Sequence, residues 1–153
     1  MLLTALLSCP AGAASPRLLD LHGHPRALAE FTGNGKWVLL ALWATDCLIC
    51  NAEARHLTAF HEKHKNGEAV VLGVSLDGWG NRAEVLEFLD RHGVTYPNLI
   101  TDYASGAALY SRLVDRAWLG TPAALLYAPD GELMMQQVGT VAFEVVEELM
   151  SAP

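Results

Sequence analysis

The nine residues KWVLLALWA, from Lys36 to Ala44, constrain the fold more than any other stretch of this chain. After the lysine every residue is apolar, and the run has the length of a strand. A strand that is apolar on both faces needs cover on both, which places it inside a sheet flanked by helices. The rest of the chain supplies neighbours and cover. EAVVLGVSL and AALLYA are further buried strands, YPNLIT is short and extended, and ELMMQQVG returns after a Pro129-Asp130-Gly131 turn. RLLDLHGHPRAL reads as a hairpin around a His-Gly turn. Helical spacing predicts a helix from Cys50 to Lys65 on which Ala52, Leu57, Phe60 and His64 share a face and the Glu and Lys residues point outward, stopped at Asn66-Gly67. NRAEVLEFLDRHG predicts a second helix with Val85, Phe88 and Leu89 inward. ASGAALYSRL and VAFEVVEELM complete an order of β-hairpin, β, α, β, α, β, α, β, β, α.

The chain has 153 residues, which predicts one domain. Apolar residues make up 52% and charged residues 18%, a balance that excludes disorder. Ten Lys+Arg stand against 17 Asp+Glu, a net charge of −7 with no basic stripe, so nucleic acid is not an expected partner. No apolar run reaches the roughly 18 residues of a membrane span. The opening MLLTALLSCPAGAAS resembles the end of a signal-peptide core followed by an A-x-A cleavage site at Ala11-Gly12-Ala13, without the usual basic residues ahead of it. A second reading takes LLSC as a lipobox with Cys9 as the lipidated residue, and a third takes the segment as an apolar tail. In each case residues 1–13 lie outside the domain, which is expected over residues 18–150.

Two cysteines remain, Cys47 and Cys50, in ATDCLIC. They sit where the buried strand passes into its helix, at the carboxyl end of a strand where open α/β sheets place their ligands. Across a first helical turn they share a face and can close a disulfide. Unpaired N–H groups and the helix dipole favour the thiolate of Cys47. Such motifs lower the thiol pKa from ~8.5 toward ~7 or below. Cys50, one turn further in, suits a resolving thiol. A metal site needs two more ligands. His56 lies too far along the helix, and His61 and His64 are expected on a solvated helix face. His22 and His24 flank a turn, and His92 is read as a favourable helix C-terminal residue. Gly120-Thr121-Pro122 precedes a strand, a setting in which a cis bond is a common device and an ordinary trans turn the alternative. Trp79 and Trp118 are read either as substrate-face or as core residues.

LLDLHGHPRAL, GKWVLLALWATDCLICNAEARHL, VVLGVSLDG, FLDRHGVTYPNLITD, GTPAALLYAPDGEL and QQVG, in this order, resemble the TlpA/ResA-like (redoxin) thiol-disulfide proteins of the bacterial cell envelope, within the thioredoxin superfamily. The resemblance implies an α/β thioredoxin-like fold: a central mixed sheet flanked by helices, with an N-terminal hairpin and a cis-Pro loop. It implies Cys47 as nucleophile and Cys50 as resolving thiol, Thr121 and Pro122 as the substrate-facing loop, and Trp43 and Glu53 as supporting residues. It implies a protein-disulfide reductase without cofactor or metal, periplasmic or tethered to the envelope through its N-terminus. Its partners would be protein thiol or disulfide substrates, such as those of cytochrome c or copper-site maturation, and a membrane thiol donor. Three departures bear on the chemistry. Asp46 precedes Cys47 where the family has Trp, and a carboxylate there opposes a thiolate. Ala41 replaces a buried polar residue with nothing local in its stead. Leu48-Ile49 offers the thiols no charge. The peroxidase signature P-x-x-x-T-x-x-C is not met, since Thr45 stands two residues before Cys47. Two further readings stay open: a Cu(I)-binding accessory protein holding metal on both thiolates, and a thioredoxin-fold binding module whose thiols are vestigial.

Overall fold

The computed structural model describes residues 17–152, so the expected targeting segment at residues 1–13, with Cys9, lies outside the described residues. Seven strands form one sheet: β1 (Leu18–Asp20), β2 (Pro25–Arg26), β3 (Trp37–Trp43), β4 (Ala69–Ser75), β5 (Asn98–Ile100), β6 (Ala123–Tyr127) and β7 (Leu133–Val138). Their order across the sheet is β2-β1-β5-β4-β3-β6-β7. β3, β4 and β5 run parallel, while β6, β7, β1 and β2 pair antiparallel, so the sheet is mixed. Four helices cover it: α1 (Leu48–His64), α2 (Arg82–Arg91), α3 (Tyr103–Val114) and α4 (Phe143–Ser151).

The apolar run is the centre of this arrangement. From Val38 to Trp43 β3 is buried throughout, between β4 on one side and β6 on the other. Strand alternation sends Val38, Leu40 and Leu42 into a core with Leu109 and Tyr110 of α3. Leu39 and Ala41 face the opposite way, into a core with Leu57 and Phe60 of α1 and Val146 of α4. Trp43, at the strand's end, packs with Cys50, Val85 and Phe88 in a third cluster. These cores lie on both faces of one strand, which is what its unbroken hydrophobicity requires.

Helix α2 buries Val85, Phe88 and Leu89 as its spacing predicts. Helix α1 differs from expectation in phase. Its inward residues are Cys50, Glu53, Ala54, Leu57, Phe60 and His61, and Ala52 is exposed. Cys50 fixes the phase: with Cys50 inward, a step of about 100° per residue carries Ala52 to the far side and brings Glu53 and Ala54 in. The same rotation buries His61, expected in solvent. Its Nδ1 accepts the Val71 N–H at 3.1 Å, and desolvation lowers its pKa, so it is buried as a neutral acceptor. His64 is half-buried against Glu147, 3.2 Å away.

Gly73 of β4 shows how tightly the sheet is built under the site. It pairs with Ala41 on one side and Asn98 on the other. A Cβ there would stand 1.9 Å from Asn98 Oδ1 and 3.1 Å from Trp43 Nε1. Those two atoms form a buried hydrogen bond of 3.0 Å, and Asn98 Nδ2 donates to the Tyr96 carbonyl. Gly73→Ala should therefore destabilise the protein by about 3 kcal/mol through overpacking and loss of that bond. Equilibrium urea unfolding followed by Trp fluorescence measures it.

Candidate active site

Cys47 is the N-cap of α1 and Cys50 lies in its first turn. The two are joined by a disulfide, with Cα atoms 5.2 Å apart. The Cys50 N–H donates to Cys47 Sγ at 3.1 Å. That sulfur occupies the place where a 17-residue helix presents its free N–H groups and the positive end of its dipole. Cys47 is half-buried, whereas Cys50 is only 4% exposed. The pair is thus asymmetric: an accessible outer sulfur at the dipole and an inner one in the core. Thiol-disulfide exchange depends on which sulfur an attacking or attacked group can reach, and here the two differ in access. Leu48 and Ile49, between them, point outward at 85% and 47% exposure.

Cys50 borders a void of ≈ 10 Å³ together with Ala41, Trp43, Glu53, Tyr96 and Pro122. Pro122 therefore meets the inner cysteine across this space, from the loop before β6. The Thr121–Pro122 bond is cis, and Thr121 beside it is half-buried. Glu53 is the carboxyl group of the lining. It is one turn beyond Cys50, buried, and its Oε1 accepts the Val141 N–H. Desolvation raises its pKa, and the Val141 hydrogen bond and the charge of His56 only partly offset this. Burial, and to a lesser degree the Glu53 charge, pushes the pKa of nearby Tyr96 up. The sequence leaves Ala41 with no local polar substitute. In space Glu53 lines the same void as Ala41, reaching it from the helix.

The remaining expected residues fall in different places. Trp43 Nε1 is tied to Asn98 and its ring stacks on Phe88 with centroids 4.3 Å apart. Asp46 is exposed. Trp118 packs edge-on against Tyr110 and donates to the Tyr103 hydroxyl at 2.9 Å, which makes it a buttress for the segment leading to Pro122. Leu119, next in the chain, is 77% exposed. Trp79 is partly exposed with Arg82 over its ring. Among the described residues no three His, Cys, Asp or Glu side chains gather into a group that could hold a metal ion.

Sequence reasoning missed Asp77. Its carboxylate accepts the Thr45 N–H at 3.1 and 3.2 Å, the Thr45 hydroxyl at 2.6 Å and the Ser75 hydroxyl at 2.6 Å. The loop entering Cys47 is thereby fixed to the end of β4. The Thr45 hydroxyl is engaged with Asp77. An Asp two residues past a buried strand carries no signal of such a role until the chain is folded.

The fold and a disulfide-forming CxxC at a helix N-terminus define a thioredoxin-fold protein. Solved structures share the architecture. The thioredoxin domain of a thiol-disulfide oxidoreductase from Bacteroides vulgatus aligns with TM-score 0.70 at 20% identity, over 93% of this chain and 99% of that one. StoA from Bacillus subtilis aligns with TM-score 0.67 at 18% identity, over 93% and 100%. A putative thiol:disulfide interchange protein DsbE from Chlorobium tepidum aligns with TM-score 0.71 at 21% identity, over 94% and 96%. At these identities the likeness concerns the fold. The chain belongs to the AhpC/TSA family, whose sequence model matches residues 11–136. Its relatives include thiol-disulfide oxidoreductase ResA of Halalkalibacterium halodurans, 27% identical over 135 residues, or 87% of this chain and 70% of that protein. ResA of Geobacillus kaustophilus is 27% identical over 131 residues, covering 85% and 69%.

Glu53 leads to a pH prediction. A carboxyl whose folded pKa lies above its ordinary value of 4.5 stabilises the fold fully below that value, and this contribution is lost as pH rises through the folded pKa. Glu53→Gln keeps an oxygen for the Val141 N–H and cannot ionise. Its stability relative to the wild type should rise as pH climbs above 4.5, and paired denaturation curves between pH 4 and 8 would register the trend.

Proposed function

We propose that this protein is a thiol-disulfide oxidoreductase that reduces disulfides of protein substrates in the bacterial cell envelope. The observation that carries the proposal is the asymmetric pair: Cys47 Sγ at the N-terminus of α1 receiving the Cys50 N–H, and Cys50 buried beneath it. ResA relatives and the family membership support the same chemistry.

The reduced enzyme starts as a dithiol. Helix α1 favours ionisation of Cys47, and the thiolate attacks one sulfur of a substrate disulfide. One substrate sulfur leaves as a thiolate, and a mixed disulfide joins Cys47 to the other. Cys50 then gives up its proton, with Glu53 as the acceptor across the shared void. Its sulfur attacks Cys47 Sγ, which forms the Cys47–Cys50 disulfide and releases the second substrate thiol. Two electrons pass to the substrate, and the enzyme waits for a thiol donor at the membrane to restore the dithiol. The raised pKa of Glu53 suits this step, because a carboxylate closer to neutrality in proton affinity is a better acceptor from a thiol than one near 4. Thr121 and Pro122 face the substrate, and Asp46 stands in solvent at the entrance. Substrates in cytochrome c or copper-site maturation are consistent with this reading, as is a tether or export signal in residues 1–13. Among the described residues no helix is long and apolar enough to cross a membrane.

Substrate trapping tests the mechanism. Cys50→Ser should accumulate mixed disulfides through Cys47, and Cys47→Ser should accumulate none. Mass spectrometry of adducts from envelope extracts reads both, and an absence of adducts on Cys50→Ser removes the mechanism. Wild-type protein equilibrated in glutathione buffers should lose and regain two alkylatable thiols reversibly.

A further inference from the structure

A second clamp, separate from Asp77, holds the reactive loop, and neither of its residues belongs to the CxxC machinery described so far. The side-chain amide nitrogen of Asn51 donates to the Thr45 carbonyl at 3.1 Å and to the Cys47 carbonyl at 2.9 Å. Its Oδ1 lies 2.9 Å from Nε2 of His92 at the end of α2. The roles in this chain are fixed by elimination. Two carbonyls can only accept, so the Asn51 nitrogen must face them and its oxygen must face His92. The oxygen can only accept, so His92 Nε2 carries the hydrogen. The His92 ring packs on Phe88, centroids 4.4 Å apart, and Phe88 stacks on Trp43. The donor is therefore set in place by an aromatic row running back to the end of β3.

We propose that Asn51 and His92 are positioning residues for Cys47: together they fix the carbonyls on either side of Asp46 and so hold Cys47 Sγ at the N-terminus of α1. The proposal rests on Cys47 acting as the attacking thiolate. The physical need is specific. The carbonyls of Thr45 and Cys47 carry partial negative charge beside a sulfur that must become an anion. Donation from Asn51 neutralises part of that charge and directs both carbonyls toward the amide. It also leaves the Cys50 N–H aimed at the sulfur. His92 holds the amide from its oxygen side, adding to the hold that the two carbonyls exert on its nitrogen. Desolvation, with the charges of Arg91 and Arg55 nearby, lowers the ring's pKa and so favours its neutral form. Neutral substitutions therefore test the hydrogen bond without changing charge.

The test uses the reduced full chain and measures the pH dependence of Cys47 alkylation by iodoacetamide, with the site read by peptide mass analysis. His92→Phe keeps a ring on Phe88 and removes the donor. It should move the Cys47 profile to higher pH and slow alkylation at pH 7 by about three- to tenfold. His92→Gln restores an N–H donor and should recover most of the wild-type profile. Asn51→Leu should match or exceed the loss in His92→Phe; if it melts below assay temperature, the His92 pair carries the test. A wild-type profile for His92→Phe overturns the proposal. So does an equal impairment of Phe and Gln variants that melt like the wild type, because that would assign the effect to packing. The glutathione titration of the wild type separates the two levels: if no reversible disulfide forms, the function proposed above fails. If one forms and only the variants behave as wild type, the positioning role fails alone.

Discussion

The geometry of the reactive end depends on how helix α1 leaves strand β3. A buried strand ends at Trp43, a short loop follows, and the helix begins with Cys47 as its cap. The cap choice sets the phase of the whole helix. Cys50 falls inward, Glu53 follows it one turn on, and Leu57, Phe60 and His61 continue the same face. The first of these closes the disulfide, the second brings an ionisable group into the void behind it, and the rest anchor α1 to the sheet. A helix started one residue earlier or later would rotate by about 100° and carry Cys50 and Glu53 together off the inward face.

Seen in this light, the loop before Cys47 is a joint under constraint from two directions. Asp77 grips Thr45 from the end of β4, and Asn51 grips the following carbonyls from within α1, backed by His92 of α2. The loop thus rests on three elements that meet at the carboxyl end of the parallel strands. The engagement of Thr45 also bears on chemistry within the AhpC/TSA family. Its hydroxyl is committed to Asp77, and the sequence lacks the proline and spacing of a peroxidatic site, which agrees with dithiol exchange.

Much of this was legible in the sequence because its signals are collective. The apolar run of β3, the spacing of Val85, Phe88 and Leu89 and the Pro129-Asp130-Gly131 turn each report the burial or backbone need of several residues at once. The order of elements and the mixed sheet follow from them. What the sequence hid were single polar residues whose role depends on a partner far along the chain. Helical spacing alone leaves Glu53 in solvent and only the family resemblance singles it out, while its partner Val141 is 88 positions away. His61 reads as surface for the same reason. Asn51 and His92 are 41 positions apart and follow no periodicity. Asp77 and Thr45 are 32 apart. Patterns of period 2 or 3.6 cannot encode such pairs.

The outward dipeptide Leu48-Ile49 has a consequence for encounter. The protein carries a net charge of −7, yet under the proposed function a partner meets Cys47 beside the exposed hydrocarbon of Leu48 and Ile49. The long-range field of the molecule disfavours acidic partners, while the contact itself is indifferent to charge and is felt only over the last few ångströms. Recognition is thereby divided by distance: the acidic body screens who approaches, and the apolar tip decides who stays long enough for sulfur to meet sulfur.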